Sequence, residues 1–240
     1  MEPARIEEVK LSNLSLSVDL KGSPLFWLGK SDDKQSVALL KYLFRSQQSP
    51  EVGEDLITAA AIHDFEEEAV SFLTEILNGN YREELREDAA FWLGQQNNAK
   101  ALQLLTETAR TDDSDDVREK AVFAVSQMDL EPATDTLIEL ARHADNLEVR
   151  ERAVFWLSQK ASRKAVNGLE SIAVNQDDYE IQTKAVFALY NLPDGTGIPK
   201  LIKIAKTHRN PKIRKKAIFW LGQSKNPQAL NALVEIVQKK

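Results

Sequence analysis

The side chains that most often carry catalysis or bind metal ions are scarce in this sequence. Its three histidines, His63, His143 and His208, lie far apart, and none is next to a glutamate or at metal-ligand spacing. Cysteine is absent, which excludes disulfides, thiolate ligands and a cysteine nucleophile. The sequence also lacks a glycine-rich phosphate loop and a nucleophile elbow. We therefore expect no catalytic residue, no metal and no cofactor, and a protein that is not an enzyme.

Basic side chains are concentrated at one end of the chain. Residues 198–240 contain eleven Lys or Arg and one acid, Glu235, whereas residues 1–197 carry a net charge of −16. The densest basic patch consists of Lys212, Arg214, Lys215 and Lys216. Such clusters bind phosphates, so nucleic acid is one candidate partner, although the pI near 5.3 favours a protein. Head-to-tail self-association of the acidic and basic ends is a further alternative. The simplest alternative is that these charges lie on solvated helix faces and bind no partner.

One aromatic motif recurs along the chain with a period of 32 residues. Its phenylalanines are Phe91, Phe123, Phe155, Phe187 and Phe219. An earlier copy occupies residues 25–30 and a degenerate copy lies near residues 59–64, so the chain contains about seven repeats. Self-similarity at this period is typical of solenoids and other repeat folds.

Each repeat contains two amphipathic helical patterns, A and then B. Apolar residues recur at helical spacing in helix A (Leu137, Ala141) and in helix B (Val117, Ala121, Val125). Four predicted N-caps precede B helices: Ser114, Asn146, Asp178 and Asn210. A single helix pair cannot bury its own apolar face, whereas stacked pairs can. We therefore predict an all-α solenoid that forms one continuous domain over residues 22–240.

The N-terminal residues follow a different pattern. Leu14, Leu16, Val18 and Leu20 alternate with polar residues, which predicts a short extended cap within residues 1–21. At the other end, residues 226–240 form an A helix with no B helix after it. The first residues are too polar for a signal peptide, and no apolar run is long enough to span a membrane. We expect a soluble chain, of a compartment that the sequence leaves open.

The B helices resemble the second helix of HEAT repeats. The resemblance rests on Val117-Arg118 followed by Ala121-Val122 and Ala124-Val125-Ser126. The family arginine is matched by Arg86, Arg118, Arg150 and Arg214, whereas Gln182 breaks the column. The short period resembles the phycobilisome-lyase-like sub-type and bacterial HEAT-repeat domains of unknown function. The resemblance implies a right-handed α-α superhelix whose B helices line the concave face.

The phenylalanine column is the predicted partner-binding site. At about 100° per residue, Phe123 lies roughly 145° from the centre of the buried face of its helix. An exposed aromatic row on the concave face predicts an interaction surface, and the alternative is that the rings pack as part of the stack. The amides beside it could pair with the backbone of an extended peptide; they are Gln95, Gln127, Gln159, Asn191 and Gln223. The sequence thus favours a non-catalytic scaffold that binds a protein or peptide of unknown identity.

The residue after each phenylalanine alternates between large and small. Four copies of the motif have tryptophan at this position, Trp27, Trp92, Trp156 and Trp220. The copies between the last three of these have alanine there, Ala124 and Ala188. We expect each indole to face the core and fill the space left by the neighbouring alanine. The alternative is that the indoles stack on a ligand. Gly94 and Gly222 follow the motif and are predicted to be close-packing positions.

Overall fold

A computed structural model of the chain describes residues 33–46, 50–62, 66–160 and 162–238. Regular structure in these residues consists of thirteen α-helices and one short 3-10 helix, and no strand occurs among them. The predicted all-α class is confirmed. The predicted extended cap, the motif copy at residues 25–30 with Trp27, and His63 lie outside the described residues. Within the described residues, no helix is long and apolar enough to cross a membrane.

Residue contacts divide the chain into two compact units, Met1–Leu105 and Thr106–Lys240. The boundary falls inside the fifth helix, α5 (Ala99–Thr111). The single continuous domain over residues 22–240 stays a prediction.

In the described residues that precede α5, the first unit contains two helix hairpins. Its helices are α1 (Asp33–Ser46), α2 (Pro50–Ala61), α3 (Glu66–Leu77) and α4 (Glu83–Gln95). Helix α1 packs on α2 and α3 packs on α4, and the two hairpins meet through α1 with α3 and α2 with α4. Between α1 and α3, Phe44 packs edge-on against Phe72 with ring centroids 5.2 Å apart, and Arg45 binds both oxygens of Glu75.

After the end of α5, the described part of the second unit contains a B helix, three A–B hairpins and a final A helix. Its helices are α6 (Asp115–Gln127), α7 (Glu131–His143), α8 (Leu147–Ser158), α9 (Arg163–Asn175), α10 (Tyr179–Asn191), α11 (Ile198–Thr207), α12 (Pro211–Gln223) and α13 (Pro227–Gln238). The B helices α6, α8, α10 and α12 contact one another in that order. Among the A helices, α7 packs on α9 and α11 packs on α13. This sequential packing is that of an α-solenoid.

Local sequence determines where the B helices begin. The predicted N-caps precede α6, α8, α10 and α12, and each accepts a hydrogen bond from a backbone N–H of the first helical turn: Ser114, Asn146, Asp178 and Asn210. The Asn146 Oδ1, for example, accepts the N–H groups of Glu148 at 2.8 Å and Val149 at 3.1 Å. These bonds satisfy donors that the helix itself leaves unpaired.

The core of the second unit consists of the predicted apolar stripes. Ala121 and Val125 of α6 and Leu137 and Ala141 of α7 are fully buried. Alanines at these positions allow the helix backbones to approach closely, and the leucines fill the space between hairpins. The core lies between the A and B layers, which leaves the opposite side of each B helix toward solvent.

One of the family arginines, Arg150, joins successive repeats. Arg150 donates to Asp178 at 3.0 Å, to Gln176 at 3.1 Å and to the carbonyl of Ala141 at 3.3 Å. Asp178 is the N-cap of α10, so the guanidinium of one B helix stabilises the start of the next. Bonds to a charged donor of this kind are roughly twice as strong as neutral ones.

Gln182 breaks the arginine column, and a buried histidine accompanies the break. Gln182 is 3% exposed and His208 is 4% exposed, with the amide nitrogen 3.5 Å from the histidine Nε2. The Nδ1 of His208 accepts the N–H of Asn210 at 3.1 Å. The Gln182–His208 pair therefore occupies the place of the Arg150–Gln176 contact one repeat earlier, and this histidine has a structural role.

Candidate functional site

The phenylalanine column of the second unit lies at the solvent-facing side of the B helices. Phe155, Phe187 and Phe219 are 49%, 38% and 54% exposed, and Phe123 is half-buried. The buried residues of the same helices, such as Ala121 and Leu157, lie on the opposite side. The helical periodicity that places apolar residues inward thus places these rings outward.

The rings of neighbouring repeats contact one another through tryptophan. Trp156 of α8 lies 5.0 Å, between ring centroids, from both Phe123 of α6 and its own neighbour Phe155. The arrangement recurs two repeats later, where Trp220 of α12 lies 4.7 Å from Phe187 and 5.0 Å from Phe219. We call the rings of these two clusters the aromatic stripe.

Trp156 and Trp220 are half-buried, contrary to our expectation that they face the core. Ala124 and Ala188, at the same position of the intervening repeats, are buried. The gap between packed helices accommodates a methyl group at this position, but an indole is too large for it. The indole instead extends outward and covers the phenylalanine of the preceding repeat, which makes it part of the surface.

Tyr190 is a member of the stripe that the sequence did not predict. Its ring stacks on Trp220 with centroids 5.0 Å apart and an interplanar angle of 27°, and it lies 6.4 Å from Phe187. The corresponding residues of the two preceding B helices are Ser126 and Ser158. The sequence could have indicated this member, because Tyr190 is a large residue in a column of small residues. Its ring makes the α10–α12 cluster larger than the α6–α8 cluster.

Within the described residues of the first unit, one copy of the phenylalanine–tryptophan pair occurs. In α4, Phe91 and Trp92 are both half-buried, with centroids 5.3 Å apart in an edge-on arrangement. Gln95, four residues after Phe91, is exposed. This copy therefore contains the same residue types as the repeats of α8 and α12 in the second unit.

The amide column is exposed at every position: Gln95, Gln127, Gln159, Asn191 and Gln223. Two of these amides are held in place by the preceding residue, since Gln127 donates to Ser126 at 2.9 Å and Gln159 to Ser158 at 3.0 Å. Each serine in turn donates to a phenylalanine carbonyl of its own helix at 2.6 Å. These bonds fix the amides near the ends of the B helices, where they flank the stripe.

Gly222, which was predicted to be a close-packing position, faces open space. A Cβ atom built on it would meet no atom within 4 Å, and the residue is exposed. Gly94, in contrast, is buried. The prediction is therefore wrong for Gly222, although Ser126 and Ser158 at the same position of α6 and α8 are buried.

The four residues of the basic patch differ in what they contact. Lys212, Lys215 and Lys216 are exposed, and no carboxylate of the described residues pairs with them. Lys212 Nζ lies 6.0 Å from the centre of the Tyr179 ring. Arg214 is half-buried and donates to the carbonyl of His208 at 2.6 Å, so it fastens the turn before α12. Of the four residues of the basic patch, the three lysines present their positive charge to solvent and Arg214 does not.

Most other bases of this end are already neutralised. Lys200 and Lys203 of α11 bind Glu170 of α9 at 2.5 and 2.8 Å. Burial opposes ionisation of Glu170, but the hydrogen bonds and charges of the two lysines outweigh it and lower the pKa of this carboxyl. Lys206 pairs with Glu235, and Arg209 pairs with Asp177. Among the described residues of this end, the exposed bases with no carboxylate partner are therefore the three lysines of α12 and Lys225, which follows that helix.

Comparison with known proteins identifies the repeat. The sequence profile of HEAT repeats matches residues 79–158 and 166–240. A search of curated proteins found no match. The chain is similar to three solved structures, human deoxyhypusine hydroxylase in complex with glycerol, the CpcE–CpcF complex of phycocyanin lyase from Nostoc sp. PCC7120, and YibA of E. coli.

The structural similarities are distant. The hydroxylase is 17% identical over 86% of this chain and 91% of its own, with a TM-score of 0.38. The lyase complex is 18% identical over 90% and 85%, with a TM-score of 0.43, and YibA is 21% identical over 81% and 71%, with a TM-score of 0.42. Scores this low carry no argument about function. The sequence profile covers more than half of the residues and confirms the resemblance seen in the B helices, so the chain belongs to the HEAT-repeat family.

Proposed function

We propose that this protein is a non-catalytic scaffold that binds a segment of a protein partner on the exposed face of its B helices. The observation that carries the proposal is the aromatic stripe, in which Phe155, Phe187 and Phe219 are each more than a third exposed on one face of one unit. Contiguous exposed apolar surface on a folded protein marks a binding site. By the family resemblance this face is the concave one, which solenoids use for extended partners.

The polar groups around the stripe suit a peptide backbone. Gln127 and Gln159 are held in place by serine hydroxyls and remain exposed at the ends of α6 and α8. An amide offers both a donor and an acceptor, as a peptide unit does. Exposed rings for apolar side chains, with amides beside them for the backbone, are features of surfaces that hold extended segments.

The first test compares partner capture by the wild type and by a variant with Phe155→Ser, Phe187→Ser and Phe219→Ser. The matched control carries Leu230→Ser and Val234→Ser, two exposed apolar residues on α13, an A-type helix of the same unit. All three proteins are first compared by circular dichroism and thermal melting. We expect proteins captured by the wild type and the control to be lost from the stripe variant. An unchanged set of captured proteins on a folded stripe variant would contradict the proposal.

A further inference from the structure

The B-helix face carries ion pairs that link successive repeats. Glu119 of α6 pairs with Arg152 of α8 at 2.9 Å, and Glu151 of α8 pairs with Lys184 of α10 at 3.0 Å. In both pairs the acid precedes the base by 33 residues, so each B helix supplies a carboxylate to the next. We call this series the ion-pair ladder.

The ladder is interrupted between α10 and α12. Its next rung would join residue 183 to Lys216, but residue 183 is a threonine, whose hydroxyl donates to the carbonyl of Tyr179 at 2.9 Å. Lys216 is thus exposed at a position where the two preceding bases have a carboxylate partner. Lys215, which takes the position held by Glu119 and Glu151 in earlier repeats, adds positive charge where the ladder has negative charge.

The interruption lies beside the larger aromatic cluster. Lys215 and Lys216 lie four and three residues before Phe219, and residues at these spacings are neighbours on a helix surface. Phe219 in turn lies against Trp220, which contacts Phe187 and Tyr190. Positive charge and exposed apolar surface thus meet on one helix, α12.

We propose that this surface binds an acidic segment of the protein partner, an extended peptide with carboxylates next to a large apolar side chain. The partner's carboxylates take the place of the missing acid beside Lys216 and pair with Lys212 and Lys215. Its apolar side chain packs on the rings of Phe187, Trp220 and Phe219. This inference rests on the proposed function and adds the chemistry of the partner.

The charge distribution favours a peptide over nucleic acid. A nucleic acid needs positive charge that follows its backbone over several phosphates. Here the bases on α8 and α10, Arg152 and Lys184, are already neutralised by Glu119 and Glu151. Lys212, Lys215 and Lys216 lie within two turns of α12, and this short run of exposed charge matches a short acidic segment.

Binding of a defined probe tests the inference. The probe is a short fluorescein-labelled peptide in which glutamates alternate with leucine and phenylalanine, measured by fluorescence anisotropy at low and high salt. The reference probes are the same peptide with glutamine in place of glutamate and a single-stranded oligodeoxynucleotide. We expect the acidic peptide to bind the wild type more tightly than either reference and to weaken with added salt.

Two variants and one control locate the binding. Lys212→Gln with Lys215→Gln and Lys216→Gln should weaken peptide binding about tenfold, because three exposed ion pairs are lost. The control with Lys206→Gln, Arg209→Gln and Lys225→Gln removes the same charge elsewhere in the unit and should bind as the wild type does. Thr183→Glu supplies the missing rung from within the chain and should weaken binding about threefold by competing for Lys216.

The outcomes separate this inference from the function on which it rests. Equal peptide binding by the wild type and the lysine variant would overturn the inference that the partner segment is acidic. The role of the aromatic stripe would still be tested separately by the capture experiment. Tighter binding of the oligodeoxynucleotide, or a head-to-tail oligomer in analytical ultracentrifugation that the lysine variant abolishes, would overturn it in favour of nucleic acid or a second copy of the chain. Loss of captured partners from the stripe variant, with no binding of the acidic peptide to the wild type, would also overturn it.

Discussion

At the scale of single residues, the tryptophans combine packing with exposure. Trp156 contacts rings of two successive repeats, so it links their B helices and also shapes the surface beside Phe155. The phenylalanines have less packed around them, since Phe155 and Phe219 are about half exposed. This difference is why the binding experiment replaces phenylalanines and retains the indoles.

Gly222 offers a stabilising substitution next to the stripe. Because a Cβ atom there would meet nothing within 4 Å, Gly222→Ala should raise the free energy of unfolding by about 0.5 kcal/mol through the higher helix propensity of alanine. The matched control is Gly168→Ala in α9, whose Cβ would lie 2.5 Å from Ile138 Cδ1 and should bring no gain. Urea denaturation measures both, and a loss of stability from Gly222→Ala would show that the site is packed.

Glu170 should make stability depend on pH in the acid range. Its pKa is lower in the folded chain than in the unfolded one, so its contribution is present above the ordinary carboxyl pKa and is lost as pH falls through the folded value. Glu170→Gln should cost about 1.5 kcal/mol at neutral pH, and the difference from the wild type should shrink below about pH 4.

Glu235→Gln is the control for Glu170→Gln, since Glu235 pairs with Lys206 but is largely exposed. Surface pairs of this kind contribute little, so its effect on thermal unfolding should be small. A Glu170→Gln deficit that stayed constant from neutral pH to below pH 4 would contradict the assigned ion pair.

Side-chain exposure was predicted correctly where it depends on the geometry of a single helix. The outward direction of Phe155 and Phe187 follows from helical geometry alone, and the structure shows both exposed. The environment of Trp156 depends on the width of the gap between neighbouring helices, which no single helix encodes. The sequence likewise does not distinguish Arg214 from Lys216. Arg214 binds the carbonyl of His208 in the folded turn before α12, whereas Lys216 has no carboxylate partner among the described residues.

At the scale of elements, the arginine column shows how one B helix orders the next. Arg150 binds the N-cap Asp178 of α10 and Gln176, whereas the following repeat has the Gln182–His208 contact in place of the Arg150–Gln176 contact. Gln182→Arg alone should destabilise the fold, because it places a guanidinium against a buried imidazole. Combined with His208→Gln, it recreates the Arg150–Gln176 pair.

A double-mutant cycle on Gln182 and His208 measures this coupling. We expect the double variant to be more stable than the sum of the single effects by about 1 kcal/mol, as found for residues in direct contact. Chemical denaturation gives the four free energies of unfolding. Strictly additive effects would mean that residues 182 and 208 do not act as a pair.

The boundaries of elements were more predictable than the contacts between them. The N-caps, such as Ser114 and Asn210, were predicted because a cap acts within one turn of its own helix. The ion-pair ladder joins residues 33 positions apart on adjacent B helices, and this neighbourhood exists only once the repeats are stacked. The sequence shows that the column of Glu119 and Glu151 changes to Thr183, but only the structure shows that this change leaves Lys216 without a carboxylate partner in the part of the chain that it describes.

At the scale of the whole molecule, the division into two compact units predicts which helices a destabilising mutation affects. Leu169 of α9 is fully buried in the second unit, and Leu169→Ala should cost about 3 kcal/mol. Since each repeat is stabilised by its neighbours, amide hydrogen exchange should rise in α7 to α12 and stay unchanged in α1 to α4. A uniform rise over both units would instead indicate one cooperative domain over residues 22–240.

The central claim is that a partner lies on the B-helix face of the second unit. Its most direct test places the photo-crosslinking residue benzoylphenylalanine at position 155 in one protein and at position 230 in another, since Phe155 and Leu230 are both exposed and apolar. We expect adducts with a protein partner from position 155 and none from position 230. Adducts from position 230 alone, or equal adducts from both, would contradict the claim.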